Sequence, residues 1–204
     1  GVAMKVASLV VCQNKNLFPI EYADLADFTI MTHRTRLAIE SALAQWAALD
    51  YCLTYADPLH TFSSFEFMNR VRTAVSSAKK YWDDASQSIN EPFGKLSRWL
   101  HSKDPHYDLD GEIIAMFGNG NSYVYNSLPF SYAFFLTIPS NIEMLYDVVN
   151  AGGDTDTNGS MVGALLGALN GTSIFPKHLV YDLWQRERIL DTADRLCEAF
   201  GVKD

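Results

Sequence analysis

Apolar residues at three- and four-residue spacings dominate the chain and predict a series of amphipathic helices. The clearest pattern consists of Ile39, Leu43, Trp46 and Ala47 and predicts a helix over 35–51. Similar patterns predict further helices over 65–82, 93–100, 142–149 and 183–200. Alternating strand patterns are nearly absent, and the weak candidate at 120–124 is the only one. The sequence therefore predicts an all-α fold, a single compact domain over 1–204.

Three glycines recur at four-residue spacing within the apolar segment 159–171, at Gly159, Gly163 and Gly167. Each glycine inside a helix costs about 1 kcal/mol relative to alanine, so three on one face indicate that another helix approaches closely. Membrane helices use the same spacing, but the apolar run here is far shorter than the ~18 residues that cross a bilayer. A buried central helix is the better interpretation.

Charge and cysteine content exclude several classes of partner. The chain has 16 Lys and Arg against 24 Asp and Glu, a net charge of −8, and its basic residues are scattered. Nucleic acids and anionic membrane surfaces attract clustered basic residues, so neither is an expected partner. Three widely spaced cysteines, Cys12, Cys52 and Cys197, provide no disulfide framework. Residues 1–5 show no signal-peptide pattern, and a cytoplasmic location is expected.

The most concentrated chemistry stands immediately before the glycine-rich helix, in the segment 152–158, which reads GGDTDTN. A helix N-cap needs only one such side chain, whereas two are acidic here. Asp154 and Asp156 repel each other unless positive charge lies between them. Carboxylate and hydroxyl oxygens suit Mg²⁺, Mn²⁺ or Ca²⁺. The segment therefore favours a site for a hard cation.

A calcium-binding EF-hand is the alternative for this segment. Asp154, Asp156, Asn158 and Gly159 match the first half of such a loop. The twelfth position of the loop would be Leu165, where a bidentate Glu is required, and the residues after 159 are apolar and helical. An EF-hand is therefore disfavoured.

The same segment carries a resemblance to a known family. The sequence Gly-Gly-Asp-Thr-Asp-Thr before a small-residue helix resembles the C-terminal metal motif of the ADP-ribosylglycohydrolase family, which includes the dinitrogenase reductase-activating glycohydrolases. Four further stretches are similar to elements of that family: Ala3-Met4-Lys5-Val6-Ala7, Thr32-His33, Ser127-Leu128-Pro129 within 124–135, and Ile174-Phe175-Pro176. The likeness thus extends over nearly the whole chain.

The resemblance implies an orthogonal multi-helix enzyme that uses two Mg²⁺ ions, or Mn²⁺, to remove ADP-ribose from a protein side chain or small molecule. Asp154, Asp156 and Thr157 take the positions of metal ligands, with Asp156 as the bridge between the ions. Paired cations of this kind orient hydroxyls and water and stabilise developing charge.

The resemblance also implies a set of residues that contact the ADP-ribosyl group: His33, Gly120, Ser122, Tyr123, Gly152 and Gly153. The two adjacent glycines would let the backbone approach the ligand. For His33, a capping or core role competes evenly with lining the cleft. For Tyr123, filling the core is favoured over stacking on adenine.

One part of the family pattern has no counterpart here. Family members carry an N-terminal region with a Gly-Asp element and a Thr-Asp-Asp cluster, so the resemblance covers the C-terminal two-thirds of the pattern. Asp83-Asp84 is the only other acidic pair and lacks the preceding Thr. The catalytic acid or base is therefore expected in a missing segment or companion chain, whose absence should leave the glycine stripe uncovered. The alternative is a non-catalytic helical relative, a structural or ligand-binding module.

Overall fold

The computed structural model describes residues 1–14, 19–55, 61–102 and 108–199, and within these ranges it contains α-helices and no strand. In chain order the helices are α1 (Ala7–Asn14), α2 (Tyr22–Ile30), α3 (Arg36–Thr54), α4 (Ser64–Ser76), α5 (Asn90–Leu100), α6 (Leu109–Phe117), α7 (Val124–Thr137), α8 (Glu143–Asn150), α9 (Thr155–Asn170), α10 (Lys177–Tyr181) and α11 (Arg186–Ala199). Single 3-10 turns lie at Ala3–Lys5, Ala78–Lys80 and Thr172–Ile174. The predicted all-α class is confirmed.

Helix α3 runs through the centre of the molecule and confirms the helix predicted over 35–51. Most of its residues from Leu37 to Cys52 are buried, because α1, α2, α4, α7 and α9 all pack around it. It begins at Arg36, where the Thr35 hydroxyl accepts a 3.2 Å hydrogen bond from the backbone N–H of Ala38. This N-terminus fixes the position of the preceding residues, including His33.

Helices α7 and α9 pack against each other and against α3. Helix α7 is apolar on nearly all sides, and its aromatic residues join the core: Tyr132 stacks on Phe93 at 5.5 Å between ring centroids, with an interplanar angle of 3°. No helix was predicted here, because an all-apolar helix has no polar face to produce a period and Pro129 lies inside it.

The glycine stripe of α9 is closely covered within the chain. A Cβ atom added to Gly159 would lie 3.2 Å from Val149 of α8, and one added to Gly167 would lie 3.3 Å from the ring of Phe175. The predicted buried helix with a close neighbour is therefore confirmed. The expectation that the stripe would be uncovered is wrong, because α8 and the segment after α9 fill that space.

The end of α4 and the start of α11 differ from their predicted positions, while α5 begins three residues earlier and α3 ends three residues later than predicted. Helix α4 ends at Ser76, where the backbone N–H of Ser77 bonds the carbonyl of Ala74 and tightens the chain into a 3-10 turn. Helix α11 begins only at Arg186, because Gln185 has a left-handed φ of 56°. Trp184 beside it is 81% exposed.

The weak strand candidate at 120–124 is wrong. Gly118 and Gly120 have left-handed φ angles of 72° and 63°, and the segment forms a turn that ends at Tyr123, the N-cap of α7. Separately, none of the described helices combines the length and the apolar character needed to cross a bilayer.

Candidate metal and ligand site

The acidic motif forms the N-terminus of α9. Asp154 is the N-cap residue, and its carbonyl accepts a 2.9 Å hydrogen bond from the backbone N–H of Asn158. No backbone N–H in the first turn of α9 donates a capping hydrogen bond to the Asp154 carboxyl group. That carboxyl group is therefore available to neighbours other than the helix backbone. Helix α9 starts directly after Asp154, and Leu165 is buried within it, which excludes the EF-hand alternative.

The side chains of Asp154 and Asp156 meet. Hydrogen bonding with the Asp154 carboxyl group, followed by a 2.9 Å hydrogen bond donated by the backbone N–H of Thr157, lowers the pKa of Asp156. Two carboxyl groups in such contact need a shared proton or a cation between them, because two ionised carboxylates repel. The local geometry thus creates a concentrated negative site at the protein surface, where Asp156 is exposed.

Thr157 lies on the adjacent face of α9, which packs against the Ala3–Lys5 turn. Its hydroxyl donates to the thioether sulfur of Met4 at 3.5 Å, and Ser160 one turn further along donates to the carbonyl of Met4 at 3.4 Å. Because the hydroxyl donates in this contact, its oxygen keeps its lone pairs for another partner.

The described ranges contain no group of three or more His, Cys, Asp or Glu side chains that could hold a metal ion. The acidic site therefore offers two carboxylates and the neighbouring Thr157 hydroxyl. This donor set fits Mg²⁺, which commonly retains several waters and binds through one or two carboxylates together with substrate oxygens.

The turn at Gly120 and the turn at Gly152-Gly153 contact each other through their backbones and hold the acidic motif in place. The backbone N–H of Asp154 donates to the carbonyl oxygen of Gly120 at 3.0 Å. Gly153 has a φ of 74°, and a Cβ added there would overlap the carbonyl oxygen of Asn119. Gly152 has a φ of 89° but faces open space, so only its backbone conformation requires glycine.

A cavity of about 270 Å³ lies between the start of α3, the N-terminal turn and the segment before α7. Six of its lining residues are Gly1, His33, Thr35, Ser41, Ser122 and Tyr123. The structure therefore brings His33 together with Ser122 and Tyr123, which were also predicted to bind ligand and are distant from His33 in the sequence.

The acidic motif lies close to this cavity. Ala3 lines the cavity, and the Ala3–Lys5 turn packs against α9, where the Thr157 hydroxyl donates to the sulfur of Met4. Gly1 also lies directly against the imidazole of His33, since a Cβ added to Gly1 would be 2.5 Å from the ring. The carboxyl pair and the cavity thus share one region of the surface.

The competing core interpretations of His33 and Tyr123 are wrong. His33 is exposed, and its Nδ1 lies 2.9 Å from the hydroxyl oxygen of Thr32. Tyr123 is 47% exposed, and its hydroxyl donates to Gln87 at 3.1 Å, because the residue ends the turn before α7 at the cavity rim. Both rings are accessible to a ligand in the cavity.

Sequence reasoning missed the acidic residues that anchor the start of α3. The Arg36 guanidinium pairs with Asp83 at 2.9 Å, and the backbone N–H of Arg36 donates to Asp84 at 3.2 Å. The hydroxyl and backbone N–H of Ser86 lower the pKa of Asp84 to about 2. The pair Asp83-Asp84 was visible in the sequence, but its partner Arg36 is distant along the chain.

Fold and site define an all-helical protein with a carboxyl pair at a helix start beside a ligand-sized cavity. A family model described as ADP-ribosylglycohydrolase matches residues 1–204, the whole chain, and the protein therefore belongs to this family of hydrolases. No curated protein and no solved structure is significantly similar to the chain.

Proposed function

We propose that this protein is a Mg²⁺-dependent hydrolase that removes ADP-ribose from an ADP-ribosylated protein side chain or small molecule. The observation that carries the proposal is the placement of Asp154 and Asp156 together at the start of α9, beside a cavity, in a chain of this family. Mn²⁺ is the alternative cation, since it accepts the same oxygen ligands.

In this proposal Asp154, Asp156 and Thr157 hold the cation, with Asp156 as the most exposed and central ligand. The bound cation would supply Lewis-acid stabilisation of charge on the ribose and phosphate oxygens. It would also neutralise an acidic surface that otherwise repels a pyrophosphate, since the chain carries a net charge of −8.

The cavity would bind one part of the ADP-ribosyl group. Its volume of about 270 Å³ lies just below the range of ~300–1,000 Å³ that is usual for sites enclosing a whole drug-sized ligand. Tyr123 offers an exposed aromatic face for a base, while His33 and Ser122 offer polar contacts. The remainder of the ligand would extend across Gly152 and Gly153 toward the carboxyl pair, and the turn at Gly120 would fix that surface.

The general acid or base and the remaining metal ligands would come from a further segment or companion chain. What supports this part of the proposal is that the described ranges contain no group of three or more His, Cys, Asp or Glu side chains able to hold a metal ion. Hydrolysis of a glycosidic bond ordinarily uses two acidic groups in separate roles, beyond any group that is engaged by metal.

A non-catalytic, ligand-binding role is the second candidate, and the same small donor set favours it. A protein of this kind would bind ADP-ribose in the cavity without releasing it from a substrate. Binding and turnover must therefore be measured separately.

The test is calorimetric titration with Mg²⁺ and Mn²⁺, together with release of ADP-ribose from ADP-ribosyl-arginine and ADP-ribosyl-serine peptides. Each measurement is made on this chain alone and after addition of a family segment that carries the Gly-Asp and Thr-Asp-Asp elements. Cation-dependent release in either mixture supports the hydrolase. Binding of ADP-ribose with no release in any mixture would establish the non-catalytic role instead.

A further inference from the structure

We propose that Asn158 is a positioning residue that sets the geometry of the Asp154–Asp156 pair without touching ligand. This inference rests on the proposed function. Asn158 is the fourth residue of α9 and follows the acidic motif directly. It is 0% exposed. A buried amide at this place in a helix is unusual, because asparagine inside a helix is neither a strong helix former nor apolar.

The Asn158 side chain connects two other parts of the molecule. Its Nδ2 donates to the carbonyl oxygen of Gly120 at 2.7 Å, and its Oδ1 accepts from the hydroxyl of Ser131 at 3.2 Å. Its own backbone N–H donates to the carbonyl of Asp154 at 2.9 Å. One residue therefore links α9, the turn before α7, and α7 itself.

The Gly120 carbonyl oxygen is the shared point of this arrangement. It accepts both the Asn158 amide and the backbone N–H of Asp154, so both of its lone pairs are used. The Asn158 amide also fills the space beside Gly120, where a Cβ would lie 2.6 Å from Nδ2. Movement of the Gly120 turn would therefore move Asp154.

Only an amide satisfies this position, because the side chain must donate and accept at once. An ionised aspartate would have the same shape but would face the Gly120 carbonyl oxygen with a second acceptor. Leucine would leave the hydroxyl of Ser131, which is also 0% exposed, without its partner. Residues that orient the ligands of a metal typically change metal affinity about 10- to 100-fold when mutated.

The experiment compares Asn158→Asp with wild type and with the control Ser131→Ala, which removes the α7 contact but keeps the bond to Gly120. Backbone hydrogen exchange is followed at Asp154, whose N–H bonds Gly120, and at buried amides of α3 in the same sample. Mn²⁺ and Mg²⁺ affinities are measured by calorimetry, with the companion segment added when wild type needs it.

We expect Asn158→Asp to accelerate exchange at Asp154 at least tenfold relative to the α3 amides and to weaken cation binding by about 10-fold or more. Ser131→Ala should change both quantities less than about threefold, because the Gly120 tether remains. Equal acceleration at Asp154 and in α3 would show a purely structural role and overturn the proposal. Unchanged exchange and affinity in Asn158→Asp would overturn it as well.

Failure of the proposed function has a different signature. If wild type binds neither cation in any mixture, the metal-dependent hydrolase is wrong and Asn158 positions no metal ligand. The exchange measurement would still decide whether Asn158 tethers the Gly120 turn to Asp154, since it requires no cation.

Discussion

The backbone N–H of Asp154 donates a 3.0 Å hydrogen bond to the carbonyl oxygen of Gly120. This bond joins the start of α9 to the turn that leads into α7, so the acidic motif and the rim of the cavity form one connected unit. The unit is dense in glycine because the two backbones approach too closely for side chains, as the overlap between a Cβ on Gly153 and the Asn119 carbonyl shows.

Replacing Asp156 with Asn should abolish cation-dependent ADP-ribose release while the protein remains folded. The change removes charge from the proposed central ligand, and loss of a group that stabilises developing charge typically lowers kcat by about 100-fold or more. Because Asp156 is exposed, the melting temperature of the Asp156→Asn variant should match that of wild type. The control is Asp191→Asn on the exposed helix α11. Full activity of Asp156→Asn at saturating Mg²⁺ would remove Asp156 from the proposed site.

Gly153→Ala and Gly152→Ala should differ in stability although both residues have left-handed φ angles, of 74° and 89°. The backbone conformation alone penalises alanine by roughly 1–2 kcal/mol at each position. Gly153→Ala adds a clash with the backbone of Asn119, whereas Gly152 faces open space. Urea unfolding should therefore show Gly153→Ala as clearly the less stable variant. Equal losses would mean that the two glycine turns are not in close contact.

Asp84→Asn should destabilise the protein at neutral pH, and the difference from wild type should shrink as the pH falls toward 2. The hydroxyl and N–H of Ser86 hold the pKa of Asp84 at about 2, below the value of about 3.9 expected in the unfolded chain. A carboxyl group whose pKa is lowered by folding stabilises the protein at a pH above its unfolded-state pKa. That stabilisation is lost as the pH falls through the folded-state pKa. Unfolding free energies of wild type and variant should converge between pH 4 and pH 2. A difference that is constant with pH would contradict this.

Glu40→Gln should show the opposite pH dependence. Burial raises the pKa of Glu40, and the backbone N–H of Ile89 and the hydroxyl of Ser88 only partly offset that effect. The folded protein therefore binds this proton more tightly than the unfolded chain, and wild type loses stability as the pH rises above about 4.3, the unfolded value. Glutamine cannot ionise, so the free energy of unfolding of the variant should rise relative to that of wild type between pH 4 and the raised folded-state pKa of Glu40. Denaturant titrations across that interval provide the measurement.

Tyr123→Ala should weaken ADP-ribose binding, whereas Tyr123→Phe should not. The ring is 47% exposed at the cavity rim, and stacking of a base on an aromatic side chain is worth about 1–3 kcal/mol, so alanine should raise the Kd about 5- to 150-fold. Phenylalanine keeps the ring and loses only the hydrogen bond to Gln87. Calorimetric titration with ADP-ribose distinguishes the two. Equal weakening in both variants would assign the effect to the hydroxyl and not to the ring.

The sequence predicted helices α3, α4, α5, α8, α9 and α11 and missed α1, α2, α6, α7 and α10. Helices α3 and α8 lie close to their predicted ranges because amphipathic spacing is a local property. Helix α7 was missed since almost every side of it is apolar. Helix α2 was missed although Glu21 and Asp24 form a capping box at its start, a local feature that could have revealed it.

The sequence by itself determined the all-α class, the acidic motif before a buried helix and the likeness to a family, because all three depend on residues that are neighbours along the chain. Only the tertiary structure decided that Gly120 accepts from Asp154 and that His33 and Tyr123 line one cavity. Those contacts join residues far apart in sequence. They form because α3, α7 and α9 pack together, which brings the starts of these three helices to one surface.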